Sequence, residues 1–137
     1  MNVNATKTAL VSALAADSTL TGLLNAGTAG IYDSHAPQGA TPPYVVFQRM
    51  SGVPARVFGR AAWDAQVWAV KGITTGGSRV TGGSIAARVD AVLDEQTLTI
   101  SGASNMACQR IADIEYPEDD NGVQYHHIGG QYKLWIA

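Results

Sequence analysis

The run Pro42-Pro43-Tyr44-Val45-Val46-Phe47-Gln48-Arg49-Met50 most constrains what this chain can fold into. Two consecutive prolines block a helix and extend the backbone entering the run. Tyr, Val and Phe fit a pleated surface. Alternation puts Tyr44, Val46, Gln48 and Met50 on one face and Val45, Phe47 and Arg49 on the other. A strand apolar on both faces belongs inside a sheet, or under other protein on both sides.

The other elements are read around that strand. Asn4 or Thr6 can cap a first helix reaching about residue 16, with Val3, Leu10, Val11 and Leu14 as its apolar stripe. Asp17 and Ser18 can cap a short second helix that buries Leu20, Leu23 and Leu24 and ends at Gly27. Ile31 and Tyr32 read as a brief strand, and residues 33–41 as a loop holding His35, Pro37 and Gly39. The main strand covers residues 43–51. Residues 52–60, with Gly52, Pro54 and Gly59, read as a long hairpin loop or flexible arm.

Residues 62–71 alternate, with Trp63, Ala65, Val67 and Ala69 opposite Asp64, Gln66, Trp68 and Val70, which predicts a second strand. A third helix ends near Leu93 on a core face of Ile85, Val89, Val92 and Leu93. Gly82 and Gly83 weaken its first turns, leaving Ser78 and Ser84 as rival caps. A short strand is expected at residues 98–100, a long one at 106–116, a turn at 117–122 containing Asn-Gly, and a last strand at 123–136. Gly129 and Gly130 are the place for a bulge or bend in that last strand. The order ααββαββ predicts an α+β fold: an antiparallel or mixed sheet of about four long strands with the helices on one face.

With 137 residues and no linker or repeat, one domain spanning 1–137 is expected. Charged residues make up 15% of the chain, against a usual share of about 25%. The surface therefore has much neutral area, as suits a subunit covered by neighbours or a Gly- and Ala-rich monomer. A net charge of -2 supplies no global field for nucleic acid. Cys108 is the only cysteine, so an intramolecular disulfide and a cysteine metal cluster are excluded, and it reads as a small buried hydrophobe. The chain shows no signal-peptide pattern and no apolar run of membrane-spanning length. Synthesis and retention in a cytoplasm, or in an assembly built there, is the expectation.

The residues that could carry chemistry do not form a site. His126 and His127 are neighbours in a strand and point to opposite faces, while His35 sits in a distant loop; all three read as surface or satisfied polar positions. No His, Asp or Glu set has metal-ligand spacing. Asp113 and Glu115 share a strand face with Ile111 and read as a solvated strand end. Residues 76–78 and 82–84 are Gly-Gly-Ser fragments without the lysine of a phosphate loop, and no serine sits in a nucleophile elbow. No cofactor and no enzymatic activity is expected. The one charge asymmetry is basic: Arg49, Arg56 and Arg60, with no acid among them. They read as solvated arginines on a mobile hairpin or as an arm reaching a neighbouring subunit or partner, and DNA binding is disfavoured because aromatics do not interleave with them.

The segment IYDSHAPQGATPPYVVFQRMSG resembles the signature of the tail-completion, or tail-terminator, family of long-tailed bacteriophages. The ordered companions LTGLLNAGTAG before it, and AQVWAV, SIAARVDAVLDE and GGQYKLWIA after it, extend the likeness over nearly the whole chain. The Gly-rich opening of the third helix departs from the pattern and leaves that helix's start open. The resemblance implies a non-enzymatic virion protein of the tail neck, assembled in the host cytoplasm. It implies a homo-oligomeric ring, typically a hexamer, on the head-proximal end of the tail tube. Such a ring stops tube polymerisation, docks the head–tail connector and passes DNA through its lumen without sequence-specific binding.

Within that expectation Tyr44, Phe47, the exposed-looking Trp68 and Trp135, and the arm with Arg49, Arg56 and Arg60 are the residues for lateral or docking contacts. Glu118, Asp119 and Asp120 form an acidic hairpin tip: a solvated turn, a lumen surface over which DNA slides, or a surface that meets a basic partner. The rival readings are a head–tail stopper or adaptor, a cytosolic binding module, and an orphan small-molecule enzyme.

Overall fold

The computed structural model of the chain describes residues 3–77 and 79–137. Helix α1 (Val3–Ala15) and helix α2 (Ser18–Leu23) lead through a 3-10 turn (Gly27–Ala29) into strand β1 (Ile31–Asp33). Strands β2 (Tyr44–Val57) and β3 (Arg60–Thr75), helix α3 (Arg79–Leu93), and strands β4 (Asn105–Asp120) and β5 (Val123–Ile136) follow. The strands form one mixed sheet in the order β1-β2-β3-β5-β4, in which only β1 and β2 run parallel. This is the expected α+β class, with one short strand added to four long ones.

The helices pack on one face. A single apolar cluster joins Leu10 and Leu14 of α1, Leu20 of α2, and Ile85, Val89 and Leu93 of α3 to Val45, Phe47, Trp68, Tyr132 and Leu134 of the sheet. The main strand is thus enclosed on both edges only over residues 45–47, where β1 flanks it. Asp17 caps α2 through its carboxylate, which accepts from the Thr19 and Leu20 amides at 3.0 and 3.1 Å. The same carboxylate holds Arg88 of α3 at 2.5 Å, so one residue starts one helix and anchors another. Lys7 and Asp33, 2.6 Å apart, tie α1 to the sheet edge.

Glycines let α3 lie close to the sheet. A Cβ at Gly72 would come within 2.6 Å of Ile85 Cγ2, and one at Gly82 within 3.0 Å of Ile128 Cδ1. Gly82 therefore weakens the helix intrinsically but is the residue that fits its buried face.

Several expectations from sequence are corrected. Asn4 and Thr6 lie inside α1, so neither caps it; Thr8 Oγ1 instead donates to the Asn4 carbonyl at 3.0 Å. Helix α2 stops at Leu23 and is capped by Leu24, because Gly27 with φ of 59° opens the 3-10 turn. Ser78 falls outside the described residues, and Ser84 is within α3, where its hydroxyl donates to the Val80 carbonyl at 3.1 Å. Residues 98–100 join no strand: Asn105 Oδ1 takes the Leu98 amide at 2.7 Å, and Leu98 and Ile100 are buried as plugs beside the sheet.

Residues 52–60 are not a loop. They are the outer ends of β2 and β3, paired up to Val57 with Arg60, and only Phe58 and Gly59 turn. Residues 117–120 likewise stay in β4, and the turn is Asn121 and Gly122 alone, with φ of 50° and 78°. The irregularities in register fall at Met50, Ala62, Met106 and Ile111, not at Gly129 and Gly130, whose pairing with β3 and β4 is unbroken. Gly129 is required for another reason: its Cβ would stand 2.1 Å from the Val70 carbonyl oxygen.

Candidate functional site: a tyrosine-lined cleft and a projecting arm

Two features stand apart from the core. The first is a cleft of about 540 Å³ on the sheet face opposite the helices. Its floor is Tyr44 and Val46 of β2, Lys71 and Ile73 of β3, Tyr116 and Glu118 of β4, and Tyr125 and His127 of β5. The register explains the grouping, since Tyr44 pairs with Ile73, Ile73 with His127 and His127 with Tyr116. Residues 34–40 form one wall, with Asp120 at the rim. Alternation splits the acidic trio: Glu118 and Asp120 line the cleft and Asp119, between them, does not.

The polar groups of the cleft are chained together. Lys71 Nζ donates to the Tyr116 hydroxyl at 2.6 Å. The Tyr116 ring stacks on His127 at 4.4 Å and 10°. His127 Nε2 lies 3.2 Å from Glu118 Oε1, and its buried Nδ1 has no partner among the described residues. Burial, and then the nearby Lys71 cation, push His127 below its ordinary value against the pull of Glu118, so it is neutral at pH 7. Tyr44, in edge contact with Tyr32 at 5.6 Å, is pushed up by burial. Four of the five tyrosines thus gather at this face; the fifth, Tyr132, is on the helix face, donating to Asp90 at 3.1 Å. His126 faces the helix side too, and its Nε2 is 2.9 Å from the Gly76 carbonyl. Both strand histidines are therefore buried and tied into the fold, the satisfied polar positions of the two alternatives read from sequence.

The second feature is the arm formed by the outer ends of β2 and β3. Among the described residues no strand pairs with the outer edge of β2 beyond Phe47, and the hairpin projects past the end of β5 at Ile136. Val53, Val57 and Trp63 are exposed on it, and Phe58 at the tip is fully exposed. Arg56 and Arg60 flank the tip, both exposed and without an acidic partner among the described residues. Arg49 does not join them. It sits seven residues back along β2, half-buried, with its guanidinium folded over Gly52.

Of the aromatic residues singled out from sequence, Tyr44 lines the cleft and Trp135 is half-buried on the sheet face beneath Lys133 Nζ at 5.0 Å. Phe47 and Trp68 are core residues, ring to ring at 6.1 Å, and Trp68 donates to Gln66 at 3.0 Å. The exposed-looking Trp68 is thus corrected: it lies on the strand face that the helices cover. Phe58, Lys71, Tyr116 and Tyr125 were not singled out. Only Phe58 carried a local signal, an aromatic beside Gly59 between two arginines. The others meet through register. Asp113 and Glu115 stay exposed, Asp113 holding Arg110 at 3.1 Å. Among the described residues no group of His, Cys, Asp or Glu could hold a metal ion, and no helix is long and apolar enough to cross a membrane.

Comparison with known proteins is concordant. A chain from the virion of a native gene transfer agent (GTA) particle superposes with a TM-score of 0.79 at 17% identity, over 98% of this chain and 97% of that one. A second solved chain gives a TM-score of 0.58 at 16% identity, over 98% and 96%. No sequence among the curated proteins matches. At these identities the two likenesses show a shared fold, with elements aligned nearly end to end. The family model of tail completion protein gp17 matches residues 8–137, taking in both the arm and the cleft, and the chain belongs to that family.

Proposed function

We infer that this tail structural protein forms a ring on the head-proximal end of the phage tail tube. The ring ends tube polymerisation, presents the docking surface for the head connector and lets DNA pass through its lumen. Family membership supports a structural role in the tail. The observation that carries self-assembly is the arm: a two-stranded projection on which Val53, Val57, Phe58 and Trp63 are exposed. A monomer that leaves large apolar side chains out on a projection has a surface suited to a partner. A ring needs a contact that uses two different patches and closes on itself, and an arm at one end of an elongated sheet is one such patch.

Deletion of the gene in the phage or particle that encodes it is the direct test. Electron microscopy should show tails of uncontrolled length and heads without tails, restored by supplying the chain in trans. Normal-length tails still joined to heads would overturn the reading. Normal-length tails that fail to join heads would move the protein to a stopper or adaptor role.

A further inference from the structure

We propose that the arm tip of one copy seats in the tyrosine-lined cleft of the next, with Phe58 against the tyrosine rings and Arg56 and Arg60 against Glu118 and Asp120. This names the contact within the ring inferred above and rests on that reading.

Three independent observations support it. The first is charge. Arg56 and Arg60 lack acidic partners among the described residues, and they sit at one end of the sheet. At the opposite end Asp120 has no basic partner among the described residues, and Glu118 has only the neutral His127. Lys71 is the one lysine or arginine lining the cleft, against those two carboxylates, so a guanidinium enters a net-negative site. Its planar face also suits the tyrosine rings that line the cleft. Opposite charge at the two ends of one body favours head-to-tail contact between copies.

The second is reach. Thirteen residue steps separate Tyr44, paired with Ile73, from Val57, paired with Arg60, so tip and cleft lie about 40 Å apart. One chain cannot satisfy itself, whereas two different patches on copies give the heterologous contact from which rings are built.

The third is backbone strain. The two tight hairpin turns have matching left-handed pairs: 50° and 78° at Asn121 and Gly122, 46° and 86° at Phe58 and Gly59. Asn-Gly is the favoured pair for such a turn, while a bulky residue at positive φ is an outlier. The chain uses the relaxed solution at one hairpin and places an aromatic in the strained position at the other. A strained residue that its own fold does not need points to a function outside the subunit.

The test is a charge exchange. Arg56→Glu with Arg60→Glu, Glu118→Arg with Asp120→Arg, and all four together are compared with the parent for self-association by sedimentation and for copies per tail in gene-deleted particles. Circular dichroism confirms that each variant is folded. Each pair alone should weaken association about tenfold or more, and the four together should recover most of that loss. Phe58→Asn, which keeps the turn, should also weaken it. Additive loss in the fourfold variant overturns the contact, as does a parent chain that is monomeric both free and on tails. Arm variants that are lost from tails while cleft variants are retained overturn it in favour of a tube protein as the arm's partner. A parent that self-associates with the predicted charge pattern yet is absent from tails leaves the contact standing and overturns the tail reading.

Discussion

Asp17 shows how much one side chain does in a chain with few charges. Its carboxylate caps α2 and grips Arg88, and the Arg88 hydrogen bond holds its pKa below the ordinary value. A depressed carboxyl stabilises the fold above the unfolded pKa of about 3.9, and that stability is lost as pH falls through the lower folded value. Asp17→Ala should cost about 1–2 kcal/mol in urea unfolding at pH 7. Asp17→Asn should keep most of the cap yet flatten the loss of stability between about pH 5 and the folded pKa. Cys108 behaves differently. Burial, with Asp94 nearby, pushes its thiol up to about 12. A thiol reagent at pH 8 should leave it unmodified in the native protein and react on unfolding in urea.

At the scale of elements, glycines mark where strands and helix approach. Gly129 faces the Val70 carbonyl so closely that Gly129→Ala must move backbone, and a loss of about 2–3 kcal/mol is expected. Gly83 is in the same helix as Gly82 but exposed, with open space where a Cβ would go. Gly83→Ala should therefore raise stability by about 0.5–1 kcal/mol through helix propensity. Denaturant melts of the two variants should move in opposite directions. The arm hairpin offers a third comparison. Phe58→Asn should gain about 1 kcal/mol by relaxing the left-handed residue. A gain in subunit stability with a loss of assembly is the signature of an aromatic kept for its partner.

For the molecule as a whole, the sheet is the organising body. Helices cover one face, and the other holds the cleft at one end and exposed apolar side chains towards the arm. Arg56 and Arg60 lie at one end of it, and Glu118 and Asp120 at the other. Assembly through such ends should weaken with salt, because pairs at a solvent-accessible rim are screened beyond about 8 Å at physiological ionic strength. Sedimentation across a salt series should show association falling steadily, while the melting temperature of the isolated subunit changes little. A salt-independent assembly would assign the contact to apolar surface alone.

The α+β class, the strand at Tyr44, the third helix's core face and the Asn-Gly turn were legible in sequence, because periodicity, β-branching and turn chemistry act over a few residues. Capping by Asp17 was legible for the same reason. The lengths of the hairpins were not. Gly52, Pro54 and Pro117 read locally as breakers, yet each has a paired neighbour in the adjacent strand that keeps the ladder going. The burial of Trp68 followed from which strand face the helices cover, which alternation alone leaves undecided. The cleft was beyond local reading altogether: Tyr44, Lys71, Tyr116 and Tyr125 come from four strands, and only the register of the sheet makes them neighbours. Short-range preferences chose the elements; cross-strand pairing, set by burying one face under three helices, chose what those elements present to a partner.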